Sequence, residues 1–179
     1  MKIKDNLIII TGARRSGTTF LLDLLDGHPD LVVFPTDLRI LYAYFPYFIN
    51  LKISKKKKIL RLKKIIFDEL NKELKKRGIK SDFNIIKWEK IFFKKLNEKK
   101  LDDIGHILQT FINSFKQSMN ERNKTIVLKE TNLEINYFLL KKIFKNFKIL
   151  RIQRDPRGAI GSVKSGFDSH YSKMGDEFN

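Results

Sequence analysis

The segment Gly12-Ala13-Arg14-Arg15-Ser16-Gly17-Thr18-Thr19 puts two guanidinium groups, three hydroxyls and two glycines into one short stretch. Groups of this kind bind phosphate. Free backbone N–H groups at a helix N-terminus point at an anion, and the helix dipole adds to the attraction. A second set, Arg154-Asp155-Pro156 with Ser162, stands near the end of the chain. A planar guanidinium at a strand end, with a hydroxyl about two turns along the next helix, suits a second phosphate. Each set also has a plainer reading. The first fits an ordinary βα turn. The second fits an ion pair of Arg154 with Asp155 or Asp168, with Ser162 as a small packing residue.

The surrounding pattern supplies the elements that must position these groups. Residues 7–11 are a continuous apolar run that predicts a buried strand. Phe20, Leu21, Leu24 and Leu25 then recur at helical spacing, and Gly27 and Pro29 end that helix. A second strand is predicted over 31–34, followed by Pro35-Thr36-Asp37. From 38 to 123 the pattern is helical. Three apolar stripes carry it: Ile59, Leu62, Ile66 and Leu70; Ile85, Trp88, Phe92 and Leu96; and Leu101, Ile104, Leu108, Phe111, Phe115 and Met119. Gly78 and Ser81-Asp82 mark breaks. Strands return at 125–128 and 147–152. Thr131 and Glu134 read as a capping box for a helix over 133–144. Asp155 is an N-cap candidate, with Pro156 at the first helical position. Strands alternating with helices predict an α/β fold with a parallel sheet. Arg154 then lies in the crevice at the strand ends, where open α/β sheets bind ligands.

Composition bounds what the chain can be. It has 179 residues, 37 Lys+Arg against 20 Asp+Glu, and a formal charge of +17. With 42% hydrophobic residues there is material for a core, which excludes wholesale disorder. The absence of cysteine excludes disulfides, thiolate metal sites and a cysteine nucleophile. No apolar run is long enough to span a bilayer and the N-terminus has no secretory signal, so a cytoplasmic location is expected. Residues 51–100 hold 19 Lys/Arg against 6 Asp/Glu, so most of the positive charge sits in one lysine-rich stretch. That is the pattern of solvated helix faces, although a basic nucleic-acid-binding module is a rival reading. No known nucleic-acid motif is present. The spacing of Gly12 and Gly17 fits the Walker A frame, but Thr18 stands where that motif requires lysine, and Thr19 keeps the hydroxyl. No strand ends in a magnesium-binding aspartate of Walker B type. A magnesium-dependent ATPase or GTPase is therefore disfavoured, and a nucleotide-dependent kinase with an aberrant loop is the rival enzyme.

Together, GARRSGTTFLLDLLDGHPDLVVFP at 12–35 and LRIQRDPRGAIGSVKSGF at 150–167 resemble the sulfotransferases that use 3′-phosphoadenosine 5′-phosphosulfate (PAPS). His28-Pro29-Asp30 is similar to the carbohydrate and tyrosylprotein branches. The resemblance implies a three-layer, P-loop-like parallel sheet flanked by helices, with residues 38–123 as a helical insertion between the second and third strands of one domain. It implies that Arg14, Arg15, Ser16, Gly17, Thr18 and Thr19 hold the 5′-phosphosulfate. Arg15 would neutralise charge as the sulfuryl group departs, and Arg154 and Ser162 would bind the 3′-phosphate. PAPS is then the co-substrate, without a metal. The acceptor would offer a hydroxyl or amine on a sugar, peptide or lipid.

In-line sulfuryl transfer needs positioning, charge neutralisation and a base, much as phosphoryl transfer does. In the family the base follows the second strand, where Asp37 stands. Asp37 equally fits a cap on the following helix. Glu130 is the rival carboxylate. Lys129-Glu130-Thr131 occupies the place of a Lys-Thr-Pro-like segment in relatives, where the lysine approaches the reacting groups. Proline is absent here, which makes Lys129 the weaker assignment. His28, His106 and His170 lack partners at ligand spacing, so no metal site is expected. Relatives continue beyond the 3′-phosphate helix, and the chain is expected to be C-terminally truncated.

Overall fold

The apolar run before the glycine loop forms one of the two inner strands of a four-stranded parallel sheet. The computed structural model describes residues 6–44, 51–77, 83–131 and 133–166. The expected breaks at Gly78 and Ser81-Asp82, and the tail with Asp168 and His170, lie outside them. Strand β1 (Leu7–Gly12) pairs on one side with β3 (Thr125–Lys129) and on the other with β4 (Phe147–Ile152), while β2 (Leu31–Asp37) flanks β3. The order is β2-β3-β1-β4, all parallel. The α/β, P-loop-like fold class is thus met.

Both faces of the sheet are covered. On one face α1 (Thr18–Leu25) buries Leu22 against Ile10 and Val127, with Leu21 and Leu25 packed alongside. Here the sequence expectation is corrected. Phe20 and Leu24, assigned to the apolar stripe, are 69% and 63% exposed, because the preceding loop fixes the rotation of this short helix and turns Leu22 to the sheet.

The other face is built by the helices between β2 and β3. These are α2 (Ile40–Ala43), α3 (Lys55–Lys63), α4 (Glu69–Arg77), α5 (Ile85–Lys95) and α6 (Ile104–Ser118), with one π turn, Lys64–Asp68, between α3 and α4. The second and third apolar stripes meet Phe34 of β2 in an aromatic core, where Trp88, Phe111 and Phe115 all contact its ring edge-on, and Leu62, Ile66 and Leu70 of the first stripe belong to the same core. The buried indole N–H of Trp88 donates to Ser114 Oγ at 2.9 Å. Met119, at the end of the third stripe, is half-exposed. Most lysines point to solvent, but Lys58 is buried and paired with Asp102.

Two further expectations are corrected. The predicted helix over 133–144 is a 3-10 turn, Leu133–Asn136, followed by α7 (Tyr137–Ile143). The N-cap is Asn136, without a side-chain cap bond, so Thr131 and Glu134 do not open a continuous helix. The Leu133 N–H instead donates to Thr11 Oγ1 at 2.9 Å, which ties this connection to β1 before a regular helix can start. Nor does Asp37 cap α2. It lies in β2, and α2 starts after Arg39, which has no side-chain cap bond. Helix α8 (Pro156–Gly166) opens as expected, with Asp155 accepting the Arg157 N–H at 2.8 Å.

Pro35 shapes the end of β2. Val33 pairs with Val127, yet Asp37 pairs with Lys129, so β2 carries extra residues across this irregularity. Proline cannot donate to a ladder and is tolerated on an edge strand or in a bulge, and a bulge re-aims the side chains beyond it. Here it brings Asp37 level with Lys129. No helix among the described residues is long and apolar enough to cross a membrane.

Candidate functional site

The strand ends converge on the glycine loop. Ser16 N–H closes a turn on the Ala13 carbonyl at 3.2 Å. Gly12 cannot be replaced without movement: a Cβ there would lie 2.6 Å from the Ile152 carbonyl oxygen and 2.7 Å from Ser16 Oγ. Arg15 and Gly17 both adopt left-handed backbone, at φ 63° and 104°. That conformation is strained for arginine. Gly17 is the N-cap of α1 and provides no side-chain cap, so the first-turn N–H groups of the helix stay open to an anion. Ser16 is buried and its hydroxyl finds no partner among the described residues. The hydroxyl is turned inward against Gly12, beside the uncapped helix start.

The two sequence constellations, separated by about 140 residues, touch here. Arg15 Nε donates to Ser162 Oγ at 3.0 Å, and its Nη2 reaches the Ser162 carbonyl at 3.4 Å. Arg154 Nη1 donates to the Arg15 carbonyl at 3.0 Å, which steadies the left-handed residue. Gly158 lets that guanidinium lie against α8, since a Cβ there would be 3.3 Å from Arg154 Nε. Asp155 pairs with Arg157, at 2.6 Å, and the plain reading of Arg154 as its partner is not met.

Arg14 lies elsewhere in the loop's surroundings. It is exposed and lines a cavity of about 310 Å³ together with Leu41, Glu130, Thr131, Leu133 and Ile135.

The carboxylates form a third group. Lys129, buried at the end of β3, donates to Thr19 Oγ1 at 3.0 Å. Its Nζ also lies 3.0 Å from Asp37 Oδ1, an ion pair that lacks hydrogen-bond alignment, which leaves that oxygen without a directed donor. Lys129 therefore joins the glycine loop to the candidate base. Sequence reasoning ranked it low for want of a following proline. The better signal was its place at the end of a parallel strand, the same signal that singled out Arg154.

Glu130 is only 2% exposed. Its Oε2 accepts the Arg39 N–H at 2.6 Å, while its Oε1 has no partner among the described residues. Arg39 reaches this position in left-handed backbone, φ 57°, held by a 3.0 Å bond from its guanidinium to Glu69. Nothing in the sequence pointed to Arg39. Burial, reinforced by the Asp37 charge, pushes the Glu130 carboxyl up to about 8, against the opposing pull of Arg39 and Lys129.

This makes stability depend on pH. Unfolded, the carboxyl loses its proton near 4.5, but folded it keeps it to about 8. Between those values the folded state binds the extra proton, so this group's contribution falls by about 1.4 kcal/mol per pH unit as pH rises. It is fully present below 4.5 and lost above 8. Glu130→Gln removes the titration. Urea melts at stepped pH are expected to show the variant gaining on the parent chain from pH 5 to 8. A constant difference would show that Glu130 titrates normally.

The histidines are used locally. His28 Nδ1 accepts the Asp30 N–H at 3.1 Å, and His106 Nε2 accepts the Asn97 N–H at 3.0 Å. Among the described residues there is no group of three or more His, Asp or Glu able to hold a metal ion.

Compared with known families, residues 7–179 match the model described as "Sulfotransferase family". No curated protein and no solved structure matches the chain.

Proposed function

The chain belongs to the sulfotransferase family, and on that premise we propose that it moves a sulfuryl group from PAPS to the hydroxyl of an acceptor. The observation that carries the choice of donor is the meeting of Arg15, Arg154 and Ser162 beside an uncapped helix start. A nucleotide with phosphates at both 3′ and 5′ positions needs two anion cups within one ligand's length. The first-turn N–H groups of α1, with Thr18 and Thr19, serve the 5′ end. Arg154 and Ser162 serve the 3′ end, and Arg15 stands between them. When bound, PAPS supplies an activated sulfuryl group whose leaving group is the adenosine bisphosphate.

The remaining work falls to the chain's own side chains. As the acceptor oxygen bonds to sulfur and the bond from sulfur to the 5′-phosphate oxygen breaks, the acceptor proton must leave. Asp37 is the carboxylate for it, because it stays partly exposed at the strand end and is held by Lys129. Glu130, neutral below about pH 8, is unsuited to accept a proton at neutral pH. Lys129, fixed to Thr19, puts positive charge beside the loop where negative charge grows on the departing oxygen. The helices between β2 and β3 contribute Leu41 to the acceptor side.

Calorimetric titration with 3′,5′-adenosine bisphosphate and with ADP, each with and without magnesium, tests the donor. Metal-independent preference for the bisphosphate is expected, and magnesium-dependent preference for ADP would overturn the reading in favour of a kinase-like enzyme. Asp37→Asn is expected to lower turnover by about 10²–10⁴-fold and to leave bisphosphate affinity within about threefold, since the Lys129 bond to Thr19 remains. Unchanged turnover would remove Asp37 as the base.

A further inference from the structure

Asp37 ends a strand that does not place it unaided. Among the described residues β2 is an outer strand of the sheet, and Phe34, Pro35 and Thr36 all stand opposite Leu128. An irregularity of this kind interrupts the ladder, so the regular pairing that stops at Val33 does not fix Asp37. The 3.0 Å approach of Lys129 Nζ lacks hydrogen-bond alignment, and 29% of the Asp37 side chain is open to solvent. Such a pair holds only as well as the backbone that carries it.

The bonds that hold this backbone come after Asp37. The Leu38 N–H donates to the Lys129 carbonyl at 2.8 Å, and the Arg39 N–H donates to Glu130 Oε2 at 2.6 Å. Glu130 is tied to β1 in turn, its own N–H donating to the Ile10 carbonyl at 3.0 Å. Residue 39 makes its bond in left-handed backbone, φ 57°. That conformation costs a residue with a side chain stability, and it persists where the surroundings hold it. The Arg39 side chain supplies such a hold. Its Nη1 donates to Glu69 Oε2 at 3.0 Å, at the first residue of α4. At the other end of α2, Arg61 Nη2 from α3 donates to the Ala43 carbonyl at 3.3 Å. The helices between β2 and β3 thus grip α2 at both ends.

We propose that Arg39 is a positioning residue: clasped by Glu69, it holds the turn that keeps the Asp37 carboxylate against Lys129. The assignment rests on the sulfuryl-transfer reading, in which Asp37 is the base, and extends it to α4. Its consequence is specific. The pairing of Asp37 with Lys129 weakens when a guanidinium that bonds to neither of them, but to Glu69, is removed.

The test is a double-mutant cycle of Lys129→Met and Asp37→Asn, measured by urea denaturation of the full chain at neutral pH and repeated in Arg39→Ala and Arg39→Lys backgrounds. In the parent chain the coupling of the two side chains is expected to be about thirtyfold in the folding equilibrium constant, within the range for groups in contact. In Arg39→Ala it is expected to fall below about fivefold. Arg39→Lys keeps a cation for Glu69, and most of the coupling is expected to return. A merely structural loss lowers the stability of every chain in a cycle alike and cancels from the coupling, so it cannot imitate this result. Should Arg39→Ala not fold, Glu69→Ala removes the same clasp from a partly exposed helix position and is expected to give the same fall. Undiminished coupling without the clasp overturns the assignment, and so does a parent chain with no coupling to lose. Failure of the base reading looks different. Asp37→Asn would then keep its turnover while the coupling still depended on Arg39.

Discussion

Arg154→Ala is expected to weaken binding of 3′,5′-adenosine bisphosphate by about a hundredfold, and of AMP by only a few-fold. The larger loss follows from removing a charged, hydrogen-bonding partner of the 3′-phosphate, an interaction of about 2–3 kcal/mol. AMP carries no 3′-phosphate, so it feels only the second job of this side chain. That job is visible in the structure: Nη1 holds the Arg15 carbonyl at 3.0 Å, and Arg15 sits in left-handed backbone. Losing the tether loosens the 5′ cup slightly, which is why a small AMP effect is expected rather than none. Arg154→Lys separates the two jobs. A lysine keeps one charge but lacks the planar fork, so it is expected to recover part of the bisphosphate affinity. Calorimetry with both nucleotides decides the matter. Equal losses for AMP and bisphosphate would mean that Arg154 is only a strut for the loop.

Lys129→Met is expected to damage both stability and turnover. The side chain is buried, and it is the cation that joins Asp37 to Thr19. Methionine fills the same space, so the effect reads charge rather than volume. Breaking one partner of a buried ion pair costs about 3–5 kcal/mol. Asp37 retains some solvent contact, with 29% of its side chain exposed, which places the expected loss at about 3 kcal/mol. Turnover is expected to fall by about 10²–10³-fold, the usual scale for removing one preorganised charge from a transition state. The double variant Lys129→Met/Asp37→Asn is expected to regain much of the stability, because neither charge is left alone, but none of the turnover. Chemical denaturation and steady-state rates measure the two effects independently. Wild-type stability in Lys129→Met would show that the ion pair contributes nothing, and wild-type turnover would remove it from the chemistry.

The site was legible in the sequence where its chemistry is carried by local order. Gly12, Ser16 and Gly17 announced the loop, because a strand that turns through glycine into a helix leaves N–H groups with nowhere else to point. Pro156 and Asp155 announced the start of α8 in the same way. Reading failed where a neighbour distant in sequence outbid a local preference. Leu133 gave its N–H to Thr11 instead of opening a helix. Asp37 remained in β2 and faced Lys129 instead of capping α2.

By itself the sequence determined the order of strands and helices, the glycine-bounded strand–loop–helix at residues 12–19 and the apolar stripes that cover the sheet. These depend on periodicity and on backbone freedom a few residues at a time. Only the tertiary structure decided that Arg15 lies on Ser162, that Lys129 spans Thr19 and Asp37, and that Arg39 supports one oxygen of Glu130 while the other stays bare. Those facts depend on the parallel register of β1, β3 and β4, on the irregularity beside Pro35, and on burial. Burial holds a proton on a carboxyl that, read as a letter in the chain, is only a glutamate.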